Sequence, residues 1–344
     1  MSPREHLQAG HAIPAQPLAL DANRKLSEKH QCALTRYYVA AGVGGLAVAV
    51  HSTQFEIREH GLMEPVLELA SRTIDEELAK APRPFIKIGG LCGRTPQALA
   101  EAELAKKHGY NAGLLSLAAW KGEPEEAILA HVRSVAETIP VVGFYLQPSV
   151  GGRVFSYSFW RKFAEIENII AIKIAPFNRY QTIDVIRRVA EAGRDDIALY
   201  TGNDDTIVTD LLTPFRFGNT TRRITGGLLG HWGVWTQKAV KLLADIKALD
   251  TNGNCPIPRE WLEKAVAVTD MNAALFDPAH GFAGCIPGIL EVLRRQGLVP
   301  TINCLNPHEV LSPGQAEELT RVCKAYPELT DDEFVAAHLD EWLR

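Results

Sequence analysis

The hydrophobic positions of this chain fall into short continuous runs separated by longer stretches of mixed polarity. The runs lie at residues 45–50, 84–90, 112–117, 140–146, 169–175, 197–201 and 223–229, after a first run at 11–20 that two prolines interrupt. Short apolar runs bounded by Gly, Pro or Asn read as strands buried on both faces, as in a parallel sheet. The stretches between them carry helical spacing. Asp21 is expected to cap a helix ending near Gly42, and further helices are predicted at 63–79, 124–138, 157–167 and 180–192. Another is predicted up to His108, with Thr95 as its N-cap and Pro96 in its first turn. Past Trp232 the pattern is purely helical, at 234–249, 259–275, 286–296, 313–325 and 331–342.

Eight strand–helix units spaced about thirty residues apart imply an α/β protein with a parallel sheet. Their number favours a closed (β/α)8 TIM barrel with a C-terminal helical extension, and a doubly wound open sheet is the competitor. The expected organisation is a flexible N-terminus at 1–10, the barrel at 11–235 and the extension at 236–344, read as a cap or an oligomer contact. Gly42-Val43-Gly44-Gly45-Leu46-Ala47 spells a dinucleotide fingerprint, but it follows a helix and opens a strand, the reverse of what that motif requires.

Charge and cysteines narrow the class. With 344 residues and 36 basic against 41 acidic side chains, the net charge of −5 leaves no footprint for nucleic acid. The six cysteines form no CxxC pair, so neither a zinc site nor a disulfide scaffold is indicated, and reduced thiols in a cytoplasm suit the pattern. No signal-peptide core opens the chain, and the apolar run at 37–50 is too short to span a bilayer.

The chemistry concentrates at 140–175. The run 140–146 carries Tyr145 and ends in Gln147-Pro148-Ser149-Val150-Gly151-Gly152; the run 169–175 carries Lys173 and stops at Pro176. A lysine in an apolar strand either snorkels to water or is an amine whose pKa burial lowers until it attacks a carbonyl as a Schiff-base nucleophile. Tyr145, at the same level of the adjacent strand, is a candidate proton shuttle. His51 and His231 stand at strand ends, as acid–base groups or as histidines satisfied by backbone. Asp204-Asp205 read as helix-capping residues. Arg153, Trp120, Trp232 and Trp235 could reach a barrel mouth or serve surface and core.

Tyr145, the Pro-Ser-x-Gly loop and Lys173 twenty-eight positions on resemble the signature of the dihydrodipicolinate synthase and N-acetylneuraminate lyase family of class I aldolases. Ala12 to Leu18 resembles its opening strand, Ser52-Thr53 its hydroxyl pair, Gly202-Asn203-Asp204-Asp205 its Gly-Asp-Asp turn and Gly226-Gly227-Leu228 its eighth strand. The resemblance implies a barrel with C-terminal helices, commonly tetrameric, using no metal or organic cofactor. Lys173 would form the imine with a 2-oxo acid and Tyr145 would relay its proton. Ser52, Thr53 and nearby backbone amides would hold the substrate carboxylate, with the Gly202 and Leu228 backbones flanking the imine, and His51, from its strand-end place, is expected to bind the substrate in place of family groups. The chain departs from the family at His51-Ser52-Thr53-Gln54-Phe55, where glycines and an acid are replaced, and at Ala119-Trp120, where a tyrosine pair is usual. Val150 stands where the synthases carry an arginine, which argues against lysine biosynthesis. A 2-oxo acid lyase, a keto-deoxy sugar acid dehydratase using the same imine, and a non-catalytic metabolite-binding barrel are the three expectations.

Overall fold

The computed structural model describes residues 1–249 and 256–344. Seven parallel strands come first: β1 (Ala12–Pro14), β2 (Gly45–Val48), β3 (Ile86–Leu91), β4 (Ala112–Leu115), β5 (Val141–Leu146), β6 (Ile169–Ala175) and β7 (Ala198–Thr201). A two-stranded hairpin, β8 (Phe215–Phe217) and β9 (Thr220–Arg222), precedes the eighth parallel strand, β10 (Gly226–Leu229). The sheet order is β1-β10-β7-β6-β5-β4-β3-β2. An Ala15–Ala47 bridge and the Gln16 N–H bonded to the Ala47 carbonyl at 2.8 Å bring β1 against β2 and close the ring. This is the (β/α)8 barrel of the sequence reading; the hairpin had no forecast.

After α1 (Pro3–Ala9) come the eight ring helices: α2 (Glu28–Ala40), α3 (Met63–Lys80), α4 (Thr95–Lys107), α5 (Glu125–Thr138), α6 (Tyr157–Ala164), α7 (Arg179–Glu191), α8 (Ile207–Leu212) and α9 (Thr236–Leu249). The strand residues divide by alternation. Ile13, Ala47, Ile88, Leu114, Phe144 and Leu228 fill the barrel, while Leu46, Leu115, Tyr145 and Ile174 pack outward against the helices.

Several expectations need correction. The first ten residues are not loose: Ser2 and Glu5 form a reciprocal capping box, and Pro3 opens α1. Leu7 is 1% exposed and closes the floor of the barrel, where the Tyr200 hydroxyl donates to the Leu7 carbonyl at 2.9 Å. Arg4 ties the helix down through Asp196 and the Glu167 carbonyl. Asp21 does not cap a helix; its carboxylate accepts from the Asn23 and Lys25 amides, a side-chain turn, and α2 starts after Ser27. Thr95 is the first residue of α4 rather than its cap, because its hydroxyl is paired with the His131 ring at 2.9 Å. The eighth ring helix is α9, so the added part begins beyond it and not at residue 236.

That added part comprises α10 (Glu260–Phe276), α11 (Cys285–Arg295), α12 (Gln315–Ala325) and α13 (Asp332–Trp342). Helix α13 returns to α2, where Trp342 and Phe334 pack on the Tyr37 ring and the Tyr37 hydroxyl donates to Asp331 at 2.7 Å. Helices α10 and α11 lie over the C-terminal ends of the barrel strands. No helix among the described residues is long and apolar enough to cross a membrane.

If α1 is an integral plug, Leu7→Ala should lower stability by about 2–5 kcal/mol, the range for emptying a packed core site. Urea melts would show a lower midpoint at an unchanged slope; a shift within error would mean that the helix is dispensable.

Candidate active site

The C-terminal ends of the strands surround a cavity of about 80 Å³. One water needs roughly 10–15 Å³ on the same scale, so the space suits a molecule of about six heavy atoms or a reacting end of that size. The lid of the cavity comes from the extension: Phe276 ends α10, Phe282 lies in the following turn, and Cys285 and Ile289 are on α11. The barrel contributes mostly apolar groups and a few polar ones, namely His51, Ser52, Gln147, Lys173 and Asp204.

Lys173 is the cation of this space. Alternation along β6 sends Ala171, Lys173 and Ala175 inward while Ile172 and Ile174 face the helices. Its Nζ lies 4.4 Å from the centroid of the Phe144 ring, a cation–π contact from the paired residue of β5. The amine opens onto the cavity and is otherwise surrounded by protein. Burial lowers its pKa below the usual lysine range, against the opposing pull of Asp204 and Cys285. Gly202 makes room for the side chain, since a methyl group there would stand 2.8 Å from both Cε of Lys173 and Cβ of Ala175.

Asp204 is the counter-group. It follows β7, and burial raises its carboxyl above the usual range while Lys173 draws it down and Asp205 adds to the rise. Its Oδ1 is buried without a hydrogen-bond partner. Its backbone is fixed from above, where Asn272 Nδ2 of α10 donates to the Asp204 carbonyl at 2.6 Å. The capping role expected of Asp204-Asp205 is not what they do: Thr206 is the N-cap of α8, without a side-chain cap bond. His51 is neutral near pH 7, its pKa lowered to about 4 by burial first and by the charge of Lys173 second.

The structure thus brings Lys173, Gly202, His51 and Ser52 to one cavity, and leaves three expected residues outside it. Tyr145 is one residue out of phase with Phe144, so it points away from the barrel into a nest with Trp160 and Phe155, ring centroids 4.8 and 5.9 Å away. Burial there raises its pKa to about 12. Phe144 holds the inward place beside the lysine. Thr53 spends its hydroxyl on the Gln16 carbonyl at 2.7 Å and accepts from the Val50 amide, which locks the turn after β2. Leu228 lies in a deeper layer of the barrel, and Gly230 is the residue of that segment that reaches the cavity.

The remaining candidates are structural. His231 pairs through Nδ1 with Asn272 Oδ1 at 2.5 Å, under the lid. Trp232 and Trp235 are core residues, and Trp120 stacks on His131 and donates to the Gly93 carbonyl. Arg153 donates to the Glu123 carbonyl at 2.7 Å. Asp204 was readable as a strand-end acid but not as the partner of Lys173. Phe276, Phe282, Cys285 and Ile289 had no signal tying them to the site, because a contact across more than a hundred residues leaves no local pattern.

The mutual effect of Lys173 and His51 can be measured. Folded His51 stays unprotonated until well below its unfolded pKa near 6.5, so its neutral-state contribution to stability is complete above about 6.5 and fades as the pH falls toward about 4. In Lys173→Met the cation that disfavours imidazolium is gone, so the His51 titration followed by NMR should move upward. An unmoved pKa would place the ammonium charge elsewhere.

The profile of the dihydrodipicolinate synthetase family matches residues 10–216. The 4-hydroxy-tetrahydrodipicolinate synthase of Dechloromonas aromatica (strain RCB) is 26% identical over 293 residues, 82% of this chain and 94% of that one. The enzyme of the same name from Pseudomonas aeruginosa is 26% identical over 281 residues, covering 81% and 83%. Among solved structures, the dihydrodipicolinate synthase from Acinetobacter baumannii complexed with pyruvate superposes with a TM-score of 0.74 at 18% identity, over 92% of this chain and 98% of that one. CdNal from Clostridium difficile in complex with mannosamine gives 0.73 at 15% identity, over 92% and 99%. These likenesses bear out the fold, and the profile, which covers more than half of the chain, decides the membership: the chain belongs to the dihydrodipicolinate synthetase family.

Proposed function

We propose that this protein is a Schiff-base-forming lyase that reversibly cleaves a carbon–carbon bond of a 2-oxo acid, with Lys173 as the amine and Asp204 as the proton relay. The observation that carries the reading is an amine with lowered proton affinity in an enclosed, mostly apolar cavity, faced by a carboxyl group with raised affinity. Groups whose surroundings push their pKa values toward neutrality are suited to exchange protons.

In the cleavage direction the neutral amine attacks C2. The C–N bond forms while the carbonyl electron pair moves to oxygen, which takes a proton from the Asp204 carboxyl. The proton that the attacking nitrogen sheds passes by way of the Asp204 carboxylate to the same oxygen, which leaves as water, and the iminium remains on Lys173 with Asp204 again a carboxylate. The C3–C4 bond then breaks, its pair flowing into the iminium to give an enamine. The C4 hydroxyl proton passes to the Asp204 carboxylate, and the aldehyde departs. Protonation of the enamine carbon and hydrolysis return the smaller oxo acid and the free lysine. Ser52, whose hydroxyl donates to the Ala15 carbonyl at 3.0 Å, offers lone pairs, and neutral His51 and the Gln147 amide supply hydrogen bonds for the carboxylate end. Phe144 cannot relay protons; its ring face steadies the positive charge on nitrogen.

A true dihydrodipicolinate synthase role fits poorly. Val150 lines the cavity at the position where the resemblance expects an arginine, and Lys173 is the one Lys or Arg side chain among the lining residues.

Borohydride reduction in the presence of pyruvate and larger 2-oxo acids should leave an adduct that peptide mass spectrometry maps to Lys173, and Lys173→Met should abolish it. No adduct with any acid in folded protein would sink the lyase reading and leave a metabolite-binding barrel. Asp204→Asn should lower kcat by roughly 10²- to 10⁴-fold, the usual size of a general acid–base contribution. Adding Phe144→Tyr to that variant, which puts a phenol beside the lysine, should restore part of the loss. Full turnover in Asp204→Asn alone would remove Asp204 from the mechanism.

A further inference from the structure

Resting on the imine reading above, we infer that the acid cleaved at Lys173 carries a flat, uncharged aromatic group on C4, so that the aldehyde released is an aromatic one. The inner cavity is not the whole site. A second space of about 220 Å³ adjoins it, sharing Phe177, Asp204, Phe276 and Phe282 and completed by Ala273 and Pro278 among others. An apolar cavity of roughly 150 Å³ accepts a benzene ring. A carbonyl carbon held at Lys173 would direct its C4 substituent past Phe177 and Phe282 into this outer space.

The two phenylalanines are built as a pair. Their rings stack at 5.7 Å between centroids with planes 8° apart, offering flat faces to a third ring. Both sit on left-handed backbone, φ 48° at Phe177 and 70° at Phe282, a conformation that costs about 1–3 kcal/mol for such residues. The surroundings enforce it. Asn203 Oδ1 accepts from the Phe177 amide at 3.0 Å, while Asn203 is itself held by Thr182 and Asp210. Phe282 is presented by the turn from Asp277 to Gly284, where the Asp277 carbonyl accepts from the Phe282 amide at 2.9 Å. The Asp277 carboxylate also binds the Gly284 amide, Ser312 and His280. Strain held by two separate networks, at two residues that stack on each other where the two spaces meet, points to the stack as the part being maintained.

The polar groups of the outer space argue against other tails. Thr269 Oγ1 and Asn272 Nδ2 are spent on the Asp205 and Asp204 carbonyls, at 2.9 and 2.6 Å. What remains is the carboxylates of Asp204 and Asp205, with no Lys or Arg in the lining. A tail bearing a carboxylate or phosphate meets like charge, and a polyhydroxylated chain would exchange water for phenyl faces with few donors to replace it.

The test runs the reaction toward condensation with the full chain, pyruvate as donor, and benzaldehyde or glyceraldehyde as acceptor. The 4-hydroxy-2-oxo acid is quantified by mass spectrometry, and a parallel sample is trapped with borohydride. The expected result is kcat/KM for benzaldehyde at least tenfold above glyceraldehyde, with the ratio falling toward one in Phe282→Ala and kept in Phe282→Tyr. Because a ratio is read, partial misfolding of a variant scales both rates and does not imitate the effect. A Lys173 adduct with equal or inverted acceptor preference overturns this inference and leaves the imine reading standing. A wild-type preference that Phe282→Ala does not erode overturns the placement of the aromatic group. No adduct with pyruvate or with 2-oxo-4-phenylbutanoate overturns both.

Discussion

An ammonium group enclosed by apolar side chains loses the solvation that makes it a strong base, and the arrangement around Lys173 follows from that one penalty. Removing water drives the amine toward its neutral, nucleophilic form. A carboxylate in the same enclosure is driven toward its neutral acid. Each partly rescues the charge of the other, which keeps both within reach of neutral pH instead of silencing them. The same chain supplies the contrasting case. Lys87, on β3, also sits in an apolar run, but it faces outward and ends on Asp75 at 2.6 Å and Ser71 at 2.9 Å. Lys173 faces its carboxyl group across an enclosed cavity, whereas Lys87 is hydrogen-bonded in place.

Sustaining that enclosure accounts for much of the architecture above the barrel. Open strand ends would hydrate Lys173 and return its pKa to the ordinary range, so the lid formed by α10 and α11 belongs to the chemistry as much as to stability. The lid is fastened to the loop it covers: Asn272 binds both the Asp204 carbonyl and the His231 ring, and Thr269 binds the Asp205 carbonyl. Anything that loosens α10 therefore moves the acid as well as the roof. Of the seven non-glycine residues on left-handed backbone among the described residues, Ala49, Gln54, Phe177, Trp235, Asp277 and Phe282 lie in segments that follow barrel strands or build this cover. Strain is concentrated where the site is assembled.

The opposite end of the barrel has a different task. There α1 inserts Leu7 beneath the last layer of inward side chains, and Tyr200 links that floor to β7, one strand away from Lys173. The first five residues spell a capping box, Ser2 with Glu5, yet residues 1–10 were expected to be flexible, because a helix of this length with one apolar anchor has little periodicity to announce it.

The amino-acid sequence by itself determined the barrel, its parallel strands, the helical extension and the place of Lys173 near the end of its strand, because these depend on local hydrophobic period and on residue types at fixed spacing. It carried Gly202, Ser52 and His51 to the right place for the same reason: they follow strand ends. It could not determine which of two adjacent aromatic residues faces the lysine. Side chains on a strand alternate with a period of two, so a one-residue difference in register exchanges the inside for the outside, and Phe144 took the place that Tyr145 was expected to hold. Nor could it show that Asp204 answers Lys173 or that Phe282 and Ile289 close the cavity. Those relations join segments far apart in the chain, and only the closed ring and the folded-back extension bring them together.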